Sequence, residues 1–469
     1  MISKIKFSYS DLFFSALLLV FIFYKIPYLQ LPLYWDEGWV YGKAIRTMAD
    51  TQISIYPGNL EYEVGRGHPL LFHVSFATLL KIFGNTLVNT HIIALSISLF
   101  LIILIYFIGK NEINNKKEWI LIGIVLSQSI FLAQSGLILP EITLTIFILT
   151  SLYAYSKNKK IILFFVSAAA ILIKESSVIL FVSLSVFSIV QSYATKDNLY
   201  EIVKKLIRIN SPLLFWLFHL MAHKLSFGSF LFHEHTEFIK LDPSLILGKL
   251  ERMFFFIFLA QGRNVIFFSA LALILYNLIK RETLIFKNSL LILISIFILL
   301  FMIFSSVNYY TERYMTVNII LFILGFYILV MNSTLNMYLK VSMLLLSAIS
   351  SLYSSCFTVA NSDVHPGYAN VIKNHQQTIN YILAEIKKDD TIYVWFNMKE
   401  QLQNHYVGFV QKDYQFKNLR SHPDKNCNYF IFTSIENPDE KNILEKEYNL
   451  VSHKKFKHKQ SWTEIMRKP

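Results

Sequence analysis

The stretch "LPLYWDEGWVYGKAIRTMADT", Leu31–Thr51, follows directly on the first long apolar run of the chain. Asp36 and Glu37 stand side by side where a membrane helix would end. From Gly38 onward, Val40, Tyr41, Ala44, Ile45 and Met48 fall on one stripe of a 3.6-residue helix, and Lys43, Arg46 and Asp50 fall on other faces. The stretch therefore predicts an amphipathic helix lying along a membrane surface. Asp36 sits where an N-cap belongs and Glu37 in or beside the first turn. The plain structural reading is that both acids cap the helix and complement its dipole.

Working outward, the composition is that of a membrane protein. Of 469 residues, 54% are hydrophobic and 16% aromatic, more than soluble domains carry. Apolar runs near 11–31, 88–109, 119–135, 141–155, 160–173, 176–191, 211–223, 265–279, 288–306, 315–331 and 337–357 predict about eleven transmembrane helices. The first run is long for a signal peptide and no small-residue cleavage site follows, so it reads as an uncleaved anchor. Several runs are short for a bilayer about 30 Å thick. Short helices and irregular backbone fit a bundle that encloses a cavity.

Loop charge sets the orientation. Segments 1–10, 110–118, 156–160, 192–210, 280–287 and 332–340 hold 16 Lys and Arg in 60 residues, against 9 in 86 for 32–68, 224–264 and 307–314. The basic set marks the cytoplasmic side, with Lys4 and Lys6 ahead of the first span. The net charge of +13 is thus accounted for by cytoplasmic loops and implies no nucleic-acid partner. Asp36, Glu37 and the C-terminal tail fall outside the cytoplasm. For a bacterium this means an inner (plasma) membrane protein with an extracytoplasmic site. Cys356 and Cys427 make no disulfide scaffold and fit no zinc pattern.

Residues 1–360 read as the membrane domain, and 361–469 change character. The tail carries 16 Lys and Arg with 13 Asp and Glu. "TIYVWF" and "CNYFIF" read as buried strands, with a helix over 398–410 between them and another over 371–387 before the first. That alternation predicts a small soluble α/β domain. The basic run "HKKFKHK", His453–Lys459, reads as a solvated strand edge.

Five stretches in order carry a resemblance. After "WDEGWVYGKAIRTMA" comes "GRGHPLLFHVSFATLLKIFG", Gly65–Gly84, then "LILPEITLTIFILTSLYAY", Leu137–Tyr155, "ILIKESSVILF", Ile171–Phe181, and "YYTERYMTVNIILFIL", Tyr309–Leu324. Together they resemble the class C (GT-C) membrane glycosyltransferases, such as protein O-mannosyltransferases and lipid A aminoarabinose transferases, over about residues 10–357. Those families more often carry two prolines where this chain has His68-Pro69-Leu70.

The resemblance implies an all-α polytopic GT-C fold that moves a sugar from a polyprenyl-phosphate carrier to a lipid, glycan or protein acceptor, among membrane lipids. It also implies a first-loop Asp acting on the acceptor nucleophile, which makes Asp36 the candidate base. A carboxylate can orient an attacking hydroxyl and take its proton. Glu37 would stand behind Asp36. Glu141, an acid at membrane depth, is a further catalytic candidate. The leaving phosphate needs cations, for which Arg66, His68, Lys174 and Arg313 are the candidates. No phosphate-binding glycine loop appears, which argues against a soluble nucleotide sugar as donor. His233, Glu234, His235 and Glu237 fit no common zinc spacing, and some members of the resembled family use a metal while others need none, so a divalent metal is open but not indicated and no other cofactor is expected. A lipid-linked glycan flippase or a non-catalytic scaffold would share the spans. Convergence of Asp36, Glu141 and Arg313 would separate them from an enzyme.

Overall fold

The computed structural model describes residues 8–113, 115–280, 288–358, 360–411 and 418–469. Lys4, Lys6 and nearly all of the predicted inner segment 280–287 lie outside the described residues. Six described helices are long and apolar enough to cross a membrane: Tyr9–Tyr28, Leu87–Ile113, Glu175–Thr195, Ser289–Val307, Glu312–Asn332 and Met337–Phe357. A seventh span results if Pro243–Leu259 and Arg263–Ile279, bent by 87° at their junction, count as one. The Glu312–Asn332 helix is central, with 89% of its apolar window buried.

Among the described residues, six helices, or seven with the bent pair, have the length and apolarity of a full span, against the eleven expected. The run at 119–135 breaks into Glu118–Leu126 and Ser129–Gln134. Pro140–Ser156, Lys160–Ile173 and Leu213–Phe227 have 17, 14 and 15 residues, shorter than the ~20 a bilayer asks for. Non-helical backbone at membrane depth must find partners inside the protein, and here it does. At the 127–128 break, the Ser127 hydroxyl and the Gln128 amide both donate to the Ile124 carbonyl, and the Ser355 hydroxyl donates to the Ser127 carbonyl at 2.6 Å. At the 87° bend, the fully buried Arg263 donates to the carbonyls of Phe256 and Ile257 and to the Gln128 side chain.

The first loop folds against the tail. Trp35 takes a left-handed backbone, φ 49°, and a π-helical turn, Glu37–Gly42, leads into the Lys43–Asp50 helix. The predicted apolar stripe is buried in full, but so is Arg46, whose guanidinium lies over the Tyr406 ring at 5.9 Å. The helix is covered on that second face by the tail, which its own periodicity could not reveal.

The tail is the expected small α/β unit. Its strands are β1 (Ile392–Tyr393), β2 (Leu419–Arg420), β3 (Tyr429–Thr433), β4 (Val451–His458) and β5 (Ser461–Arg467), in the order β2-β1-β3-β5-β4. β1 runs parallel to β2 and β3, and the last two pairings are antiparallel. The Tyr368–Glu385 helix packs on the β4–β5 hairpin, where Asn374 donates to the Ser461 hydroxyl at 2.7 Å. The run "HKKFKHK" lies at the sheet edge. Tail and first loop meet directly: the Leu33 N–H donates to the Val407 carbonyl at 2.9 Å, and the Tyr34 hydroxyl to that of Asn361 at 2.8 Å.

Candidate functional site

A cavity of about 980 Å³ opens between the first loop, the ends of several membrane helices and the tail. Asp36, Arg66, His68, Lys174 and Arg313 all line it. Glu141 is buried just behind this lining, and Glu37 lies farther back.

The centre of one wall is Arg313, which opens the Glu312–Asn332 helix through a 3₁₀ turn. Its guanidinium donates to Asp36 and, at 2.9 Å, to Oδ2 of Asp363, and its Nε lies 3.6 Å from Glu141 Oε1. Lys174 continues the array, with Nζ 3.0 Å from the same Glu141 oxygen and 3.6 Å from the centre of the Tyr314 ring. An arginine shared by carboxylates from separate segments holds a fixed geometry that a lysine could not.

Asp36 occupies the predicted N-cap position, but its side chain caps nothing. The π-turn begins with Asp36 already in helical backbone, and the carboxylate turns to Arg313. Glu37 is completely buried and accepts from the N–H of Tyr34 (3.0 Å) and of Ile138 (2.9 Å), with His91 Nε2 at 3.1 Å. It fastens the first loop to the Leu87–Ile113 helix and to the approach of the Pro140 helix.

Asp363 was not foreseen. It lies just past the last span, as Asp36 lies just past the first, and that position was the signal available in the sequence. Burial raises its pKa, Arg313 pulls it down, and the neighbouring Asp36 and Glu141 push it up again.

A second group occupies another part of the lining. Arg66, in left-handed backbone, pairs with Glu234 at 2.8 Å and stacks over Trp39 and Phe232. His68 Nδ1 lies 3.3 Å from Glu175 Oε2, and its ring lies 5.0 Å from that of His235. Burial, with the nearby His68, lowers the His235 pKa to about 4, which keeps its ring neutral. The ligand atoms of His68, Glu175 and His235 all lie within 4.8 Å of one another. Two imidazoles and a carboxylate form a donor set that suits a zinc-like divalent ion. The cluster escaped the sequence because its members come from three separate segments. Of His233, Glu234, His235 and Glu237, His235 alone lines the cavity, while His233 points to Glu237 at 3.4 Å in solvent.

No protein-family model matches the sequence, and no curated protein matches it. Two solved structures share the fold. Crystal structures of ArnT from Cupriavidus metallidurans, one bound to undecaprenyl phosphate and one in the apo state, superpose with TM-scores of 0.53 and 0.54. Each is 12% identical in sequence, and each match covers 97% of this chain and 97% of that one. The likeness is one of fold, and it spans membrane bundle and tail alike.

Proposed function

We propose that this integral membrane protein is a glycosyltransferase that moves a sugar from a polyprenyl-phosphate carrier to an acceptor at the cavity. The observation that carries this reading is the convergence of Asp36, Glu141, Lys174, Arg313 and Asp363 at the cavity wall. A flippase or scaffold has no need of a carboxylate fixed beside two cations. The shared fold with an ArnT that binds undecaprenyl phosphate supports the choice of carrier.

In this reading the carrier phosphate lies against Lys174 and Arg313, which stabilise the charge that develops as it leaves. Asp36 orients the acceptor group and takes its proton as the acceptor bonds to the anomeric carbon and the sugar–phosphate bond breaks. Glu141 spaces the two cations, and Asp363 holds Arg313 from the tail side. Glu37 positions the loop that carries Asp36. The active site and tail lie outside the cytoplasm, and the carrier's isoprenoid chain runs into the membrane. The acceptor is a lipid, glycan or protein.

The test is transfer by purified protein in lipid. Sugar should move from a polyprenyl-phosphate donor and not from a nucleotide sugar alone, and Asp36→Asn should abolish most of the rate. Turnover of a nucleotide sugar without carrier lipid would overturn the proposal.

A further inference from the structure

A second cavity, about 780 Å³, lies on the other side of the first loop and does not depend on the reading above. Its walls are the outer faces of the Tyr9–Lys25 and Met337–Phe357 helices, and its floor is the 127–128 break. Val20, Ile349 and Leu352 line it and are 67%, 62% and 53% exposed. These are faces of membrane-crossing helices, so whatever fills the groove is dissolved in the bilayer. Its size is that of a ligand site rather than a packing defect.

The groove's roof is polar and of one sign. Lys373, on the Tyr368–Glu385 helix, and Lys459, at the tip of the β4–β5 hairpin, both line it. Neither side chain forms an ion pair or hydrogen bond among the described residues, and no carboxylate lines the groove. The N-terminus of the same 18-residue helix, starting after Gly367 without a side-chain cap, adds its positive dipole end. His365 is buried in the lining. Its Nδ1 accepts from the Gly367 N–H, which puts the proton of the neutral ring on Nε2. Nε2 makes no hydrogen bond of good geometry, although the carbonyls of Ser355, Thr358 and Ala360 face the ring.

The groove is separate from the candidate active site. Tyr28 lines the groove and Tyr34 lines the active-site cavity, and both pack on Tyr368, at 6.0 and 5.4 Å between ring centres. A lipid headgroup here cannot be the reacting phosphate at Arg313.

We infer that this groove is a binding site for an anionic phospholipid of the surrounding leaflet, with an acyl chain between the two helices and the headgroup phosphate under Lys373 and Lys459. The attraction of a membrane-surface lysine for anionic headgroups is worth roughly fivefold in affinity, so two lysines on one phosphate give selectivity a nonspecific lipid shell would lack. The bound lipid would brace the tail against the bundle.

Cys356 lines the groove and is exposed, whereas Cys427 is buried, which supplies a native reporter. The full chain is placed in nanodiscs of phosphatidylcholine, with or without an equal part of phosphatidylglycerol. Alkylation of Cys356 by N-ethylmaleimide is followed by peptide mass, and retained lipid by native mass spectrometry. Phosphatidylglycerol should slow Cys356 alkylation roughly fivefold or more and should be retained over phosphatidylcholine. The pair Lys373→Gln with Lys459→Gln should lose both effects, and the pair Lys373→Arg with Lys459→Arg should keep them. Equal rates in the two lipids would overturn the inference. Slowing that persists in the Gln pair would overturn it too, because it would come from general membrane charge. Failure of the Arg pair, folded and carrying both charges, would also count against it.

Discussion

At the scale of single residues, the pairing of Asp36 decides between a cap and a chemical role. Its side chain makes no capping bond, so Asp36→Asn gives up nothing at the helix start. Arg313 keeps Asp363 and Glu141 when Asp36 is neutralised. Asn can still accept from Arg313, so stability should fall by no more than about 2 kcal/mol, within the worth of one hydrogen bond to a charged group, while the transfer rate falls roughly 10²–10⁴-fold, the scale of a general base. Arg313→Gln should lower the rate too, but unlike Asp36→Asn it should also unfold the protein readily, since it strands buried carboxylates at a cost of about 3–5 kcal/mol. Rate and thermal unfolding in detergent, measured side by side, check both. A second prediction concerns Glu436 in the tail, whose carboxyl burial pushes up to about 7. Neither of its oxygens has a well-formed hydrogen bond, although Asn397 and the Met398 N–H pull the other way. The folded state holds a proton that the unfolded chain releases near 4.5. Glu436 therefore stabilises the tail fully below about pH 4.5, and that stability is lost as pH rises through 7. The amount is on the order of 3 kcal/mol. His375, lowered to about 4 by burial, works in the opposite direction over an overlapping range. The difference between wild type and Glu436→Gln isolates the acid. Hydrogen exchange in β3 should show protection falling from pH 5 to pH 8 more steeply in wild type than in the variant, and parallel profiles would refute this.

At the scale of elements, the sequence showed where apolar runs lie but not where they break. The 3.6-residue stripe from Val40 to Met48 was readable because one face alone carries it. The division at 127–128 and the 87° bend were not, because each depends on a distant partner: Ser355 for one and, through Arg263, Gln128 for the other. Gly262 marks the bend. Its φ of 79° suits glycine, and a Cβ there would stand 2.4 Å from the Ser350 carbonyl oxygen, a backbone atom that cannot step aside. Gly262→Ala should lower stability by about 2 kcal/mol or more through the strained backbone and overpacking. A thermal unfolding midpoint equal to wild type would show that the bend adjusts freely. The strands of the tail were legible as short apolar runs, since β1 and β3 lie inside their sheet.

At the scale of the whole molecule, the spans are arranged so that both ends of the site's construction meet on one side. The first loop and tail share hydrogen bonds, whereas Asp11, Lys110 and Glu118 cluster at the far ends of their helices. Cysteines replacing Ile55 in the first loop and Tyr200 beyond the Glu175–Thr195 span should therefore label from opposite faces, with Ile55→Cys reacting from outside the cell. Labelling of both from one face would break the arrangement. Most candidate residues of the site were legible because acids and cations are conspicuous beside apolar runs. Asp363 was not, because reading 361–469 as a separate domain hid its proximity to Arg313.

The guanidinium that gathers these acids also has a place in time. Arg313 follows Asp36 by 277 positions and precedes Asp363 by 50. A ribosome releases the first-loop acid long before the cation that neutralises it, whereas Glu141 meets Lys174 only 33 residues later. Until the last third of the chain is made, Asp36 has no charge partner and stays hydrated, since burying a bare carboxylate costs far more than leaving it in water. The Asp36–Arg313 pair can therefore form only once two thirds of the chain has been made, and the tail residues that complete the cavity follow later still. Trp39→Cys should react quickly with a water-soluble maleimide in chains stalled before residue 313 and slowly in the finished protein, and equal rates would show that the acid finds another early partner.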